Sequence, residues 1–249
     1  MFKAVMSDSS LLKDSISTIG ELIDEGIFKA NKDGLSLIAA DRAMVAVVDF
    51  KLPATVFEKF EVDKEEKIAV NLTNLVSVLK RAGGNEKVEL ELKDNKLEIK
   101  FKNSSIRKFT VPLLDITQEE IPPVNQLEFK AKAKIRSDVF KSGIEDADIV
   151  SDSVVFEAND DKFVMSASGD ISSAELTLEK GNEALLDLDV KEETRARYPL
   201  DYLKKMIKAS KLANEIILRW SKDYPLRMDF VSVDKVSMGF VLAPRVSEE

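Results

Sequence analysis

The chain has 249 residues, of which 44% are hydrophobic and 33% are charged, and it contains neither cysteine nor histidine. These absences exclude disulfides, thiolate metal sites and Ser-His-Asp triads, and we expect no metal and no cofactor. The net charge of −8, taken as a total, argues against a nucleic-acid partner. No apolar run reaches the roughly 20 residues of a membrane-spanning helix, and the first residues lack a secretion-signal pattern, so we expect a cytoplasmic location.

The first predicted elements recur at a constant offset of 128 residues. An amphipathic helix pattern at Leu11, Leu12, Lys13, Ile16 and Leu22 returns at Val139, Phe140, Lys141, Ile144 and Val150. A hairpin pattern around Asn31-Lys32-Asp33-Gly34 returns around Asn159-Asp160-Asp161-Lys162. Asn and Asp favour tight turns because their side chains bond the local backbone. The repetition predicts two similar domains.

The second half of each repeat keeps the same order of helix and strand. Leu72, Leu75, Leu79 and Lys80 correspond to Leu200, Leu203, Ile207 and Lys208, and the strand Val88, Leu90, Leu92 corresponds to Ile216, Leu218, Trp220. Four helices and many antiparallel strands are therefore predicted. The adjacent prolines Pro122 and Pro123 preclude regular structure between the halves. We predict a first domain over residues 1–116, a connecting loop over 117–127 and a second domain over 128–249.

Positive charge concentrates on the predicted helices. The segment from Tyr198 to Ala213 has four lysines against one acid, and its apolar stripe leaves Lys204, Lys208 and Lys211 on the opposite face. On a single helix, simple solvation explains such lysines. Four equivalent helices that face one way would instead form a phosphate-binding patch that is independent of DNA sequence. No aromatic residues interleave with the lysines, which favours duplex over single-stranded DNA.

Several short segments carry a resemblance to a known family. They are Met1-Phe2-Lys3-Ala4, Asp41-Arg42-Ala43-Met44-Val45, Val70-Asn71-Leu72-Thr73, Val111-Pro112-Leu113-Leu114-Asp115, Tyr202-Leu203 and Leu242-Ala243-Pro244-Arg245-Val246. In this order and spacing the chain resembles proliferating cell nuclear antigen (PCNA), the DNA sliding clamp, especially its archaeal form. The resemblance covers essentially the whole chain.

This resemblance implies an α+β fold of two similar domains, each with antiparallel sheets and two helices. It implies a non-enzymatic ring of three subunits, whose helices face duplex DNA, and a nucleoid-associated location if the source is archaeal. The implied DNA-facing residues are Lys13, Lys80, Arg81, Lys141, Lys204, Lys205 and Lys208. Lys211 is added from helical spacing alone.

The resemblance also implies a pocket that binds PIP-type peptides of DNA polymerase, clamp loader, flap endonuclease and ligase. Its residues would be Met44, Val45, Val47, Ile121, Pro122, Pro225, Phe240, Val241, Ala243 and Pro244. Without the family, core packing is the simpler explanation for these apolar side chains. Ala40 replaces the family's usual Met, and Arg42-Ala43 replaces Pro-Ser. The shape and peptide preference of the pocket are therefore open.

The subunit contact implied by the resemblance joins two edge strands. The residues concerned are Phe109 and Val111 on one strand and Ala174, Leu176 and Leu178 on the other. Pairing between subunits would cover edges that otherwise promote aggregation, although pairing within one chain is the alternative. A homotrimer is expected, and a ring of different paralogues is the other arrangement.

Two other functions are compatible with the residues. A carboxylate-dependent hydrolase needs no histidine, but no acidic pair stands out and no phosphate-binding glycine loop is present. A clamp-like scaffold that does not act on DNA is the second alternative. It would have the same fold, but its function would not require the lysines on the helices.

Overall fold

A computed structural model describes residues 1–83, 86–117, 120–121 and 123–245. The elements of the first half are β1 (Phe2–Met6), α1 (Ser10–Ile19), β2 (Glu25–Asn31), β3 (Gly34–Ala40), β4 (Ala46–Pro53), β5 (Lys59–Val62), β6 (Glu66–Asn71), α2 (Leu72–Leu79), β7 (Lys87–Lys93), β8 (Lys96–Lys102) and β9 (Ile106–Pro112). Those of the second half are β10 (Ala131–Arg136), α3 (Ser137–Val150), β11 (Ser153–Ala158), β12 (Lys162–Ser168), β13 (Ser173–Glu179), β14 (Leu185–Val190), β15 (Thr194–Pro199), α4 (Leu200–Met206), β16 (Glu215–Trp220), β17 (Leu226–Ser232) and β18 (Val236–Leu242). Short 3-10 turns occupy Ala54–Val56, Val124–Gln126 and Ile207–Lys211.

The chain forms two compact units that exchange short segments. Unit 1 comprises Met1–Arg42, Val48–Ile121 and Ser232–Met238, and unit 2 comprises Ala43–Val47, Pro122–Val231 and Gly239–Glu249. Each unit thus takes a few residues from the opposite half of the sequence. The boundaries predicted from the prolines, at residues 116 and 128, stay a prediction.

Strand order is the same in the two units. Unit 1 contains the neighbouring strands β5-β1-β7-β8-β9 and β6-β2-β3-β4, and unit 2 contains β14-β10-β16-β17-β18 and β15-β11-β12-β13. Each strand of unit 2 therefore takes the position of its counterpart nine strands earlier. The paired strands run antiparallel, for example β1 with β7 and β10 with β16. The predicted fold of two similar domains, with antiparallel sheets and two α-helices each, is confirmed.

The same hairpin turn occurs in both units, and a short sequence signal accounts for it. Asn31 Oδ1 accepts a hydrogen bond from the Asp33 N–H at 2.9 Å, and Asn159 Oδ1 accepts one from the Asp161 N–H at 3.0 Å. The asparagine therefore closes the same turn twice. Gly34 differs from its counterpart Lys162, because Gly34 has a φ of 137° and a Cβ there would lie 2.2 Å from the Leu52 carbonyl oxygen. Only glycine fits the first turn without displacement of the backbone.

The two cores are filled differently. In unit 2 the Phe156 ring lies 5.3 to 6.2 Å from four other aromatic rings, at Phe140, Phe163, Tyr198 and Trp220. The positions 128 residues earlier hold Leu12, Leu35, Val70 and Leu92. Unit 1 contains an apolar cavity of about 20 Å³, whose lining includes Leu12, Phe28 and Leu35. The smaller side chains of unit 1 thus leave space that aromatic rings fill in unit 2.

One prediction of helical structure was wrong in extent. The segment from Tyr198 to Ala213 was treated as one helical stretch, whereas Tyr198 and Pro199 end strand β15 and α4 covers only Leu200–Met206. Pro199 is the residue before the helix, where its fixed φ and missing N–H are tolerated. A 3-10 turn then carries Ile207–Lys211. Lys208 and Lys211 therefore lie on this turn and not on an α-helix.

Candidate nucleic-acid interface and partner-binding surface

In unit 1 the candidate DNA-facing residues lie on two helices that pack against each other. Lys13 is half-buried on α1, and Lys80 and Arg81 are exposed at the end of α2. The Asn71 side chain caps the start of α2 by accepting the Asn74 N–H at 2.9 Å, and the buried leucines of α2 face the core. This orientation leaves Lys80 and Arg81 in solvent.

The end of α2 is also tied to strand β9. Arg107, on β9, donates through Nη1 to the Arg81 carbonyl at 2.9 Å and forms an ion pair with Glu86. The Gly83 N–H, and then Arg107, hold the pKa of the Glu86 carboxyl below its usual range. The segment that carries Arg81 is therefore held by a hydrogen bond to its backbone and by the ion pair of Arg107 with Glu86.

In unit 2 the basic surface follows α4 and the 3-10 turn after it. Leu200, Leu203, Met206 and Ile207 are buried, whereas Lys204, Lys208 and Lys211 are exposed. Lys205 differs from them, because it is half-buried and its Nζ lies 5.5 Å from the centre of the Tyr202 ring. The three exposed lysines lie on the solvent-facing side of this segment, where a phosphate could reach them.

Helix α3 supplies acids that pair with two of the candidate lysines. Lys204 Nζ lies 2.8 Å from Asp148 Oδ2, and Lys141 Nζ lies 3.6 Å from Glu145 Oε1. Glu145 follows Lys141 by four residues, a spacing that brings side chains together on a helix, whereas the pairing of Asp148 with Lys204 joins two helices and has no local sequence signal. Part of the positive charge of unit 2 is therefore neutralised within the unit.

The two strands of the predicted subunit contact are both sheet edges. Within the described part of the chain, β9 pairs only with β8 and β13 pairs only with β12. Each edge leaves backbone donors and acceptors available for a further strand. Phe109, Ala174 and Leu176 are half-buried. Val111 and Leu178, each 3% exposed, belong to the cores of their own units and cannot provide much contact area.

Three exposed isoleucines near these edges were missed in the sequence. Ile106 begins β9, Ile149 lies near the end of α3, and Ile171 is in the turn before β13, with exposures of 72%, 83% and 99%. A large apolar side chain so exposed costs solvation unless a partner covers it. The sequence does give a signal for Ile171, because it is the one apolar side chain between Gly169-Asp170 and Ser172-Ser173.

The candidate partner pocket is built in unit 2 around a short loop and the C-terminal segment. The Ala243 N–H donates to the Val45 carbonyl at 2.9 Å, which joins the two segments. Met44 is 48% exposed and has a left-handed backbone with a φ of 57°, and Ala243 and Pro244 are half-buried. Pro225 is also half-buried. These residues present apolar surface that a partner side chain could contact.

Other predicted pocket residues lie beneath the surface or elsewhere. Phe240 is fully buried against Phe230, and Val47 and Val241 are each 7% exposed, so these three residues belong to the core and offer little surface to a partner. Ile121 lies in unit 1, where it lines a groove of about 700 Å³ together with residues of β2 and β3. Pro122 lies outside the described residues, as does Val246.

Comparison with known proteins identifies the family. A model described as "Proliferating cell nuclear antigen, N-terminal domain" matches residues 1–120, and one described as "Proliferating cell nuclear antigen, C-terminal domain" matches residues 123–245. The chain belongs to the PCNA family.

Similar proteins of this family come from archaea. The DNA polymerase sliding clamp of Thermococcus gammatolerans is 38% identical over 248 residues, and that of Pyrococcus furiosus is 37% identical over 250, each with 99% of both chains covered. Among solved structures, PCNA from Thermococcus kodakaraensis has a TM-score of 0.89 at 30% identity and covers 98% of this chain and 100% of its own. A PCNA2–PCNA3 complex from Sulfolobus tokodaii has a TM-score of 0.90 at 28% identity, covering 98% and 99%.

Ala40 and Arg42 lie just before the loop that contains Met44. Both residues line the groove that contains Ile121, and Arg42 forms an ion pair with Asp24 at 3.1 Å. The described residues contain no group of acids that could hold a metal ion, and none of their helices is long and apolar enough to span a membrane.

Proposed function

We propose that this protein is a DNA sliding clamp, a processivity factor that encircles duplex DNA and tethers DNA polymerase and other replication and repair enzymes. The proposal rests above all on membership of the PCNA family over nearly the whole chain, together with relatives named DNA polymerase sliding clamp. The protein acts without catalysis, metal or cofactor, in the cytoplasm and on the nucleoid.

The ring consists of three identical subunits joined head to tail through β9 and β13. Two unpaired edges on one chain are what such a contact requires, because one edge of each subunit pairs with the other edge of the next. The exposed isoleucines at positions 106, 149 and 171 would be covered by the same contact.

DNA is held by Lys13, Lys80, Arg81, Lys141, Lys204, Lys205, Lys208 and Lys211. These contacts are to phosphates, so they carry no sequence preference and are screened by salt. The net charge of −8 agrees with a ring whose outer surface repels DNA and whose helices tolerate it. Retention on DNA then depends on closure of the ring rather than on strong contacts.

Polymerase, clamp loader, flap endonuclease and ligase dock through a PIP-type peptide at the surface formed by Met44, Val45, Ala243 and Pro244. Tethering raises the local concentration of an enzyme at its template, so that it rebinds before it diffuses away. This effect alone accounts for increased processivity.

Light scattering tests the ring. The wild-type protein should have three times the chain mass of 27.8 kDa over a concentration series. Ile171→Asp, which alters a side chain 99% exposed, should leave the fold intact and shift the mass toward one chain. Val233→Asp, at an equally apolar site that is 78% exposed and away from both edges, is the matched control and should keep three chains. A wild-type monomer at every concentration would refute the homotrimer.

A further inference from the structure

An aspartate recurs just before β2 and β11 and makes the same backbone contact in each unit. Asp24 and Asp152 lie 128 residues apart, and their carbonyls accept the N–H of Leu72 at 2.8 Å and of Leu200 at 2.9 Å. The backbone of each aspartate thus fixes the start of the following helix. Its carboxylate is left to interact elsewhere.

In unit 2 this carboxylate holds the C-terminal segment. Asp152 Oδ2 lies 2.7 Å from Arg245 Nη1, and the Arg245 N–H donates to the Arg197 carbonyl at 2.7 Å. Arg197 lies on β15, the edge strand of its sheet, so the C-terminal segment lies along that edge. The hydrogen bond from Arg245 lowers the pKa of Asp152, which favours the charged form of the carboxylate.

The segment held in this way includes a wall of the candidate partner pocket. Ala243 is bonded to Val45 at 2.9 Å, and Arg245 follows two residues later. Ala243 and Pro244 are therefore fixed between two backbone hydrogen bonds, one on each side. The outer bond is reinforced by the ion pair of Arg245 with Asp152.

We propose that Asp152 is a positioning residue of the partner pocket, and that its ion pair with Arg245 holds Ala243 and Pro244 in the position that a partner peptide contacts. The inference rests on the proposed docking function. Asp152 itself is 75% exposed and need not touch the peptide. By holding the C-terminal segment in place before the peptide binds, Asp152 reduces the conformational entropy that this segment loses on binding.

Unit 1 uses the duplicated aspartate in a parallel way. Asp24 Oδ2 lies 3.1 Å from Arg42 Nε, and Arg42 leads into the loop that contains Met44. This pair is more exposed than that of Asp152, since the Arg42 side chain is 83% exposed and that of Arg245 is 45% exposed. We therefore expect the effect of Asp152 to be the larger of the two.

The test is Asp152→Asn in the full-length protein. The first measurement is amide hydrogen exchange at Arg245 without peptide, which should accelerate about threefold, as expected for loss of a partly exposed ion pair. The second is the affinity of a fluorescein-labelled PIP-type peptide, which should fall by a similar factor. Asp152→Glu should restore much of both, and Asp152→Arg combined with Arg245→Asp should restore the pair with reversed charges.

The matched control is Asp138→Asn. Asp138 is 63% exposed and pairs with Arg136 at 2.6 Å, so the change removes a similar ion pair in the same unit. It should alter neither measurement. If wild type and Asp152→Asn bound the peptide with equal affinity despite faster exchange at Arg245, the proposed role of Asp152 would be wrong and the docking function would be unaffected. A wild-type protein that binds no PIP-type peptide would overturn the docking function and the proposal with it.

Discussion

The two units have the same strand order but differ in how their interiors are packed and in how their surface charge is arranged. In unit 2 four aromatic rings lie around Phe156, whereas unit 1 has aliphatic residues at the four corresponding positions and a small cavity beside Phe28, the counterpart of Phe156. The outer face of β1, β7 and β8 in unit 1 carries alternating Lys and Glu that pair with one another. In unit 2 the corresponding strands β10, β16 and β17 also carry ion pairs, but with other residues, namely Lys134 with Glu215 and both Arg219 and Arg227 with Asp229.

This difference shows which properties a duplicated fold must keep. Topology depends on the alternation of apolar residues and on the turns, and both are shared. Core volume can be filled by different side chains, provided that the total is maintained. Surface charge is under no topological constraint, so the residues that form ion pairs on the corresponding strands differ between the two units.

The largest predicted effect concerns the aromatic core. Trp220→Ala should reduce the free energy of unfolding by about 3–5 kcal/mol, because it leaves a large cavity beside the Phe156 and Phe163 rings. The counterpart Leu92 is only half-buried, so Leu92→Ala should cost less, on the order of 1–2 kcal/mol. Urea denaturation followed by circular dichroism gives both values. Equal losses at the two positions would contradict the difference between the cores.

The second prediction concerns the duplicated hairpin turn. Gly34→Ala should destabilise the protein by about 2 kcal/mol, because alanine disfavours the left-handed backbone and its Cβ would overlap the Leu52 carbonyl. Lys162→Ala, at the corresponding position of unit 2, should change stability by less than about 0.5 kcal/mol. Thermal denaturation of both variants tests this, and a tolerated Gly34→Ala would show that the first turn has no special backbone requirement.

The third prediction concerns the charged face of unit 1. Glu89 accepts a bond from Lys102 at 2.6 Å, with Lys100 at 3.2 Å and Lys3 at 3.3 Å, and these lysines, Lys102 foremost, lower its pKa to about 2. Because the folded pKa lies below the ordinary value of 4.5, the stabilisation is present above about pH 4.5 and is lost as the pH falls toward 2.

Glu89→Gln should therefore reduce the free energy of unfolding by about 1–2 kcal/mol at pH 7 and flatten its decline between pH 4.5 and 2. Glu192→Gln, at an exposed acid of unit 2, should leave the profile unchanged. Urea melts at a series of pH values provide the measurement. A profile for Glu89→Gln parallel to that of the wild type would refute the assignment.

The smallest predicted effect concerns DNA contact in unit 2. Asp148→Asn should release Lys204 for phosphate binding and steepen the salt dependence of duplex affinity, by up to about one unit of slope. The same change in a Lys204→Gln background should have no such effect, and Asp201→Asn on α4 controls for net charge. Fluorescence anisotropy with a labelled duplex measures this. An equal gain from Asp148→Asn with and without Lys204 would show that Asp148 acts only through general charge.

The fold and its duplication were readable from the sequence because their determinants are local. Asn31 and Asn159 close their turns within three residues, and apolar alternation identifies the strands. The pairing of Asp148 with Lys204, and of Asp152 with Arg245, joins residues 56 and 93 positions apart. No pattern along the chain indicates such contacts, since they depend on how helices and termini are brought together.

The change from the α-helix α4 to the 3-10 turn after Met206 could not be predicted, for a different reason. Leu203, Met206 and Ile207 keep an apolar stripe whether the turn is α or 3-10, so the spacing does not distinguish the two. The predicted exposure of Lys204, Lys208 and Lys211 follows from the stripe alone and agrees with the structure. The DNA-facing and docking residues remain predictions until binding is measured.

The most direct test of the central claim is retention on DNA of different topology. The clamp should be loaded on a nicked circular plasmid with a clamp loader from a related archaeon, separated from free protein, and then compared before and after a single cut that linearises the DNA. An encircling ring should stay on the circle and be lost from the linear molecule within the same period. Equal retention on both would contradict encirclement, and would mean that the protein holds DNA by contact alone.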